Sequence, residues 1–343
     1  MIISRTPFRI SFFGGGTDYP AWYREHGGSV LATTFDKYCY ITCRYLPPFF
    51  EHKSRILYSK VESVVSNDQI EHPAVRAILA EMGIKAGVEI HHDGDLPART
   101  GLGSSSAFAV GLLHALVALQ NKMITKLQLA KDAIRIEQEV LKENVGCQDQ
   151  VMASVGGLQR VDFLPNDEIH VTPIIIEKER LESLQGHFLL YFTGFARFAS
   201  EIVKEQLEKM PKKTAELTRM QALVDEGVSI LAGKDDLSRF GELLDEGWKL
   251  KRSLSSKIST PQIDDIYQSA KSAGAVGAKL LGAGGGGFML LFVKPEDQAR
   301  VKERLKGLLR IPFRFESEGS HIILYQPEEA LEGPHHGTRV NRR

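Results

Sequence analysis

Residues 99–106 read RTGLGSSS and run directly into AFAVGLLHALVAL at 107–119. The second segment has the body of a buried helix, so two glycines and three serines stand at a helix mouth. Backbone N–H groups at such a start have no acceptor within the helix. Gly101 and Gly103 let a ligand come close to the backbone, while Ser104, Ser105 and Ser106 add hydroxyls beside the positive end of the helix dipole. The stretch by itself fits a serine-capped helix and a phosphate cradle equally well.

Two more glycine-rich stretches occur, FFGGGTDYP at 12–20 and GAGGGGF at 282–288. Gly282, Gly284 and Gly287 have the spacing of a dinucleotide fingerprint, but that motif follows a strand and opens a helix, and here FMLLFV behind it is strand-like. No glycine run ends in Gly-Lys-Ser/Thr, so a Walker A loop is excluded.

The chain has 343 residues, long enough for two domains, with 43 basic and 43 acidic residues. The balanced charge argues against nucleic acid or an anionic membrane as partner. Cys39, Cys43 and Cys147 show no redox or metal spacing and read as small buried residues in a reducing compartment. Arg5 and Arg9 interrupt the apolar part that a signal peptide would need. The longest apolar run, ending at Leu119, is too short for a bilayer. The expected location is the cytoplasm.

Strand-like runs at 29–45, 86–92, 187–193, 288–293 and 321–325 alternate with helical patterns at 105–120, 125–143, 197–232, 236–256, 262–274 and 295–309. The stretch 156–173, with paired glycines and a LPNDE turn, is the expected boundary. The expectation is an N-terminal domain over 1–165, a C-terminal domain over 166–326 and a disordered tail over 327–343, which includes His335 and His336. His91, His92, Asp93 and Asp95 lie on a strand end, where neighbours diverge and do not make a metal site.

The segment 125–143 is TKLQLAKDAIRIEQEVLKE, with a capping box from Thr125 and Gln128. At 100° per residue its apolar face comprises Leu127, Ala130, Ala133, Ile134, Val140 and Leu141, and Glu137 falls in the middle of it. A carboxylate on a buried stripe needs a pairing partner, hydrogen bonds or a cation. An ion pair, a half-exposed helix and a metal or active-site acid all satisfy that need.

All three glycine stretches, in this order, resemble the motifs of the GHMP kinases, the superfamily of galactokinases, homoserine kinases, mevalonate kinases and phosphomevalonate kinases. Pro7 to Tyr19 is similar to the galactokinase signature P-G-R-x-x-x-x-G-E-H-T-D-Y. Pro97 to Ala107 is similar to the family phosphate loop, and Lys279 to Phe288 to its C-terminal glycine motif. Glu137 and Gly146-Cys147-Gln148-Asp149-Gln150 are similar to the Glu and G-x-x-D-Q of galactokinase-like members. The run 13–20, with Gly27 to Val30 and Phe35 to Tyr38, resembles most the branch that phosphorylates the anomeric hydroxyl of D-glycero-D-manno-heptose 7-phosphate, on a route to nucleotide-activated heptose for surface polysaccharide. Gly15 stands where galactokinase has its sugar-binding Glu, which leaves galactose hydroxyls without a partner.

The resemblance implies an α+β, two-domain fold, a ribosomal protein S5 domain 2-like half and a ferredoxin-like half, with ATP, Mg²⁺ and a sugar phosphate in the cleft between them. It places ATP phosphates on Gly101, Leu102, Gly103, Ser104, Ser105 and Ser106, and Mg²⁺ on Ser105 and Glu137. Asp149 is implied as the catalytic carboxylate and Arg9 as its neighbour. Gly14, Gly15, Gly16, Thr17 and Asp18, with Gly284, Gly285 and Gly286, are implied at the substrate. Lys37, Arg44, Arg99 and Arg197 are candidates for a substrate phosphate. Another sugar kinase of the family (fucose or galactose) and a non-catalytic sugar and nucleotide sensor stay open as alternatives.

Overall fold

A computed structural model of the chain describes residues 1–98, 100–194 and 199–330. Arg99, Arg197 and the expected tail from 331 onward lie outside the described residues. Strands β1 (Ile2–Phe13) and β2 (Gly28–Tyr45) form a long antiparallel pair, with Ile2 opposite Cys43 and Arg9 opposite Thr34. The register slips between Pro7 and Phe8, where a bulge accommodates the proline's missing N–H. β1 is absent from the strand-like runs of the sequence, because Arg5, Pro7 and Arg9 interrupt its apolar alternation.

The remaining strands are β3 (Ser54–Leu57), β4 (Val61–Val64), β5 (Val88–Gly94), β6 (Gln159–Phe163), β7 (Ile169–Pro173), β8 (Phe188–Phe192), β9 (Ala275–Leu280), β10 (Phe288–Val293), β11 (Leu309–Ile311), β12 (Phe315–Glu316) and β13 (His321–Tyr325). Among the described residues they make a nine-stranded sheet with the path β13-β1-β2-β5-β3-β4, to which β6, β7 and β12 attach, and a four-stranded sheet β11-β8-β10-β9. The stretch 156–173 is thus a hairpin of the large sheet. The expected division at 165/166 falls in its turn, because two short strands flanking LPNDE look like a linker in sequence. The expected 166–326 half also returns β12 and β13 to the large sheet, pairing with β2 and β1.

The second sheet is a βαββαβ unit, in which β8 leads through helices to β9, β10 follows as a hairpin, and helix Gln298–Arg304 leads to β11. That order and its antiparallel pairing make this half ferredoxin-like. The expected helix 197–232 is two, Ala199–Lys209 and Thr214–Ala232, broken around Pro211. None of the helices is long and apolar enough to cross a membrane, among the described residues. Cys39, Cys43 and Cys147 are free and buried.

The core is continuous between the sheets. Phe12 stacks on Phe188 at 5.3 Å and meets Phe240 edge-on at 5.3 Å, and Phe13 meets Phe240 at 4.8 Å. Edge and offset ring contacts add to the area that such residues bury. The cluster holds the end of β1, and with it the first glycine loop, against the ferredoxin-like half.

In that half the helix Ser238–Leu254 lies so close to β9 that a Cβ on Gly277 would stand 1.9 Å from the Gly241 carbonyl oxygen. Backbone on both sides leaves nothing to yield. Gly277→Ala should therefore cost about 3 kcal/mol, read as a lower urea midpoint with an unchanged m-value.

Candidate active site

Arg9 points from β1 at Asp149 in the first turn of helix Gln148–Val155. Its Nε donates to Oδ1 at 2.7 Å and its Nη2 to Oδ2 at 2.9 Å. The remaining Nη1 donates to the Gly101 carbonyl at 2.7 Å, and the Arg9 backbone N–H to the Leu102 carbonyl at 3.2 Å. One arginine thus ties the backbone of the second glycine loop to the carboxylate. Its side chain is 5 % exposed and that of Asp149 26 %, so the pair opens on the Asp149 side.

Gly103 caps helix Ser104–Leu119 in the left-handed region, at φ +74°, and accepts the first intrahelical bond from the Ala107 N–H at 2.8 Å. A Cβ there would stand 3.2 Å from Asp149 Oδ2 and 3.4 Å from Arg9 Cγ. The loop therefore rests directly on the ion pair, and the mouth of the helix and the Asp149 carboxylate share one small space.

Thr125 caps its helix as expected, accepting from the Gln128 N–H at 3.2 Å, but the Gln128 side chain turns to Asp132 and leaves the box half made. The α-helix ends at Arg135 and continues as a π-helical turn over Ile136–Val140, a form frequent at functional sites. The buried side is Leu129, Ala130, Ala133, Ile136 and Glu137, while Leu127, expected there, is exposed at the helix start.

Glu137 is 1 % exposed, and burial pushes its carboxyl up to about 7 against the hydrogen bonds that lower it. Its Oε2 accepts from Ser106 Oγ at 2.9 Å and from Gln150 Nε2. Its Oε1 has no partner among the described residues. The hydroxyl on Glu137 is that of Ser106, whereas Ser105 is exposed; consecutive helix residues lie 100° apart, and the phase that turns Ser106 inward turns Ser105 out. A buried carboxyl oxygen without a partner, next to the second glycine loop, fits a hard cation. Mg²⁺ takes one or two carboxylates and completes its shell with phosphate oxygens and water.

The first glycine loop braces the site with side chains expected on the sugar. Thr17 is fully buried, its Oγ1 donating to the Gly14 and Ser29 carbonyls at 2.8 and 3.0 Å and accepting from the Ser29 N–H. Asp18 is 1 % exposed, with Oδ1 accepting from the Gly16 N–H at 2.9 Å and Oδ2 from the Gln148 N–H at 3.2 Å. The Asp18 carboxyl is pushed up by burial, its backbone hydrogen bonds opposing that. It joins Gly14–Gly16 to the segment that delivers Asp149. Gly15 lies 3.3 Å, by its absent Cβ, from Gln148 Nε2.

The third glycine run closes backbone on backbone. A Cβ on Gly282 would lie 2.2 Å from Gly101 Cα, and one on Gly101 2.3 Å from the Leu281 carbonyl. Gly284 and Gly285, expected at the substrate, abut Ile258, with the Gly285 N–H donating to its carbonyl at 2.9 Å, and Gly286 is buried beside them. A loop this flat gains its contacts from the protein's own backbone.

Two buried lysines that the sequence reading does not single out lie behind the glycine loops. Lys279 Nζ donates to the Ser11 and Phe12 carbonyls at 2.8 and 2.7 Å. Lys251, 8 % exposed, donates to the Gly282 carbonyl at 2.5 Å. Burial pulls its ammonium down to about 8, with the Arg9 charge adding to this and Asp18 and Asp149 opposing it. The signal was available: Phe240, Leu244, Trp248 and Lys251 fall on one stripe of helix Ser238–Leu254. Of the candidates for a substrate phosphate, Lys37 pairs with Asp36 and Arg44 with Glu89. His91 faces Glu89 and His92 the Phe108 ring, and no group of three metal-binding side chains occurs among the described residues.

The model of the GHMP kinases N terminal domain matches residues 69–157 and that of the GHMP kinases C terminal domain 229–310. The chain is 30 % identical to a mevalonate kinase of Pyrococcus horikoshii over 77 % of its own length and 76 % of the relative's. The chain belongs to the GHMP kinases. A D-glycero-alpha-D-manno-heptose 7-phosphate kinase of Campylobacter jejuni is 29 % identical over 93 % of this GHMP kinase and 97 % of that protein. A crystal structure described as a D-glycero-D-manno-heptose 1-phosphate kinase of Bacteroides thetaiotaomicron superposes with a TM-score of 0.78 at 24 % identity, covering 94 % of this chain and 98 % of that one. The two-domain fold of this GHMP kinase is that of the family.

The buried Glu137 gives the kinase a pH signature. Between about 4.5, the ordinary carboxyl value, and about 7, the unfolded chain releases a proton that folded Glu137 retains, so stability falls as pH rises. At about 1.4 kcal/mol per pH unit the loss reaches about 3 kcal/mol. In EDTA, urea unfolding at pH 5 and pH 8 should show this difference in the wild type and lose it in Glu137→Gln.

Proposed function

We propose that the protein transfers the γ-phosphoryl group of ATP to the anomeric hydroxyl of D-glycero-D-manno-heptose 7-phosphate, giving the 1,7-bisphosphate, in the cytoplasm. The observation that carries this reading is the Asp149–Arg9 pair lying against Gly103 at the mouth of helix Ser104–Leu119. Phosphoryl transfer needs mainly positioning and positive charge around the group in flight, and this pair supplies both beside the phosphate loop. The sugar is supported by the likeness to the Campylobacter heptose phosphate kinase and by Gly15, which removes the carboxylate of the galactokinase signature.

In this reading the backbone of Gly101 to Ser106 holds the ATP phosphates. Glu137, with Ser106 beside it and Ser105 exposed on the same turn, holds Mg²⁺, which neutralises charge on the phosphate oxygens when bound. Asp149 receives the anomeric proton. Each carboxylate oxygen engaged by Arg9 keeps a further lone pair, so the two-point pair orients Asp149 without closing it to the incoming hydroxyl. The anomeric oxygen forms its bond to the γ-phosphorus as the bond from that phosphorus to the β–γ bridging oxygen breaks. ADP leaves with that electron pair, and Arg9 faces the charge that spreads over the transferring oxygens. Gly14, Gly15 and Gly16 form the sugar-side wall, with Thr17 and Asp18 bracing it from behind.

Coupled ADP release against heptose 7-phosphate, sedoheptulose 7-phosphate, mannose, fucose and galactose tests the assignment. The heptose phosphate should give the highest kcat/KM; preference for an unphosphorylated hexose would overturn the sugar and leave the kinase standing. Binding of ATP and sugar with no ADP from any of them would favour a sensor. In Asp149→Asn, kcat should fall by at least about 10²-fold while ADP affinity is kept.

A further inference from the structure

Lys251 has no role in the reading above. Its side chain comes from helix Ser238–Leu254 of the ferredoxin-like half, is more than nine-tenths buried, and forms no ion pair among the described residues. Its one hydrogen bond there is to the Gly282 carbonyl, which leaves an ammonium with three donors largely unspent. Lys279, equally buried, differs in having two backbone acceptors that fix it between Ser11 and Phe12. A buried cation without a counter-charge is costly, and the cost is removed when an anion arrives.

The surroundings say which anion. Gly282, the anchor of Lys251, lies on Gly101 backbone to backbone, and the Gly101 carbonyl takes the third donor of Arg9. From Lys251 the path to the Arg9–Asp149 pair therefore crosses only the two glycine loops, and the charges of Arg9, Asp18 and Asp149 all act on it. The acceptor oxygen meets phosphorus at that pair. A phosphate on the seventh carbon of an anomeric acceptor lies at the far end of the sugar from the reacting oxygen, so it does not reach this point.

We propose that Lys251 binds the oxygens of the transferring γ-phosphoryl group, reaching the phosphate loop from the opposite half and making, with Arg9, a two-sided cationic clamp. The proposal rests on the phosphoryl-transfer reading of the cleft and is independent of which sugar accepts. The clamp also gives the close contact of Gly101 with Gly282 a purpose, since that contact sets how far the Lys251 ammonium stands from the loop.

The test is calorimetric titration of wild type, Lys251→Met and Lys251→Arg with AMPPNP and with ADP, in Mg²⁺ and without sugar. Lys251→Met should bind AMPPNP about tenfold more weakly and ADP within about twofold of wild type, with Lys251→Arg between, because only AMPPNP carries the γ-phosphoryl. Turnover by Lys251→Met should show a lower kcat with an unchanged KM for the sugar phosphate. Equal loss for both nucleotides, no loss for either, or a rise confined to the sugar KM would overturn the proposal. If Lys251→Met does not fold, the AMPPNP-to-ADP ratio of Lys251→Arg decides, and a ratio equal to that of wild type counts against the clamp. Failure of the wild type to bind AMPPNP would instead overturn the kinase reading.

Discussion

The bond on which the structure depends is the two-point contact between Arg9 and Asp149. Removing Asp149 would leave the buried Arg9 guanidinium uncompensated, at a cost below the roughly 3–5 kcal/mol of a fully buried pair because Asp149 is part-exposed. Here that penalty links elements far apart in the chain, because Arg9 lies in the middle of β1 and Asp149 opens a helix 140 residues later. Arg9 also holds the Gly101 carbonyl, so β1, the second glycine loop and helix Gln148–Val155 share one guanidinium. Planar, five-donor geometry is what allows one side chain to do this, and lysine would not replace it.

Much of the architecture and the site was legible in the residues. The helix after RTGLGSSS, the strand 29–45 and the hairpin strand at 288–293 follow from period and composition, and Glu137 stood out because a carboxylate interrupts an apolar stripe. What was not legible depended on partners distant in sequence. β1 hides behind Arg5, Pro7 and Arg9, and its central charge makes sense only once Asp149 is beside it. Lys251 breaks an apolar stripe as Glu137 does, but it sits in the run KLKR, which reads as a wet face. Ser105 and Ser106 differ by 100° of helix phase, and only the fold sets that phase.

The glycine runs teach a related lesson. In sequence they look like three places where a ligand comes near the backbone. In the fold two of them come near each other, Gly101 and Gly282 forming one contact between the halves, and the first is filled from within by Thr17 and Asp18. Small residues here permit protein to approach protein, backbone against backbone.

The return of β12 and β13 to the large sheet sets the order in which the enzyme comes into being. β1 lies between β2 and β13, and the Gln326 N–H donates to the Met1 carbonyl at 2.8 Å. A nascent chain emerging from the ribosome has β2 to pair with β1 early, but the other edge of β1 stays bare until residues 321–325 are made. An open strand edge invites pairing with other chains. The strand that carries Arg9 is therefore guarded last, and translation that stops before β13 leaves an adhesive edge beside an unfinished site.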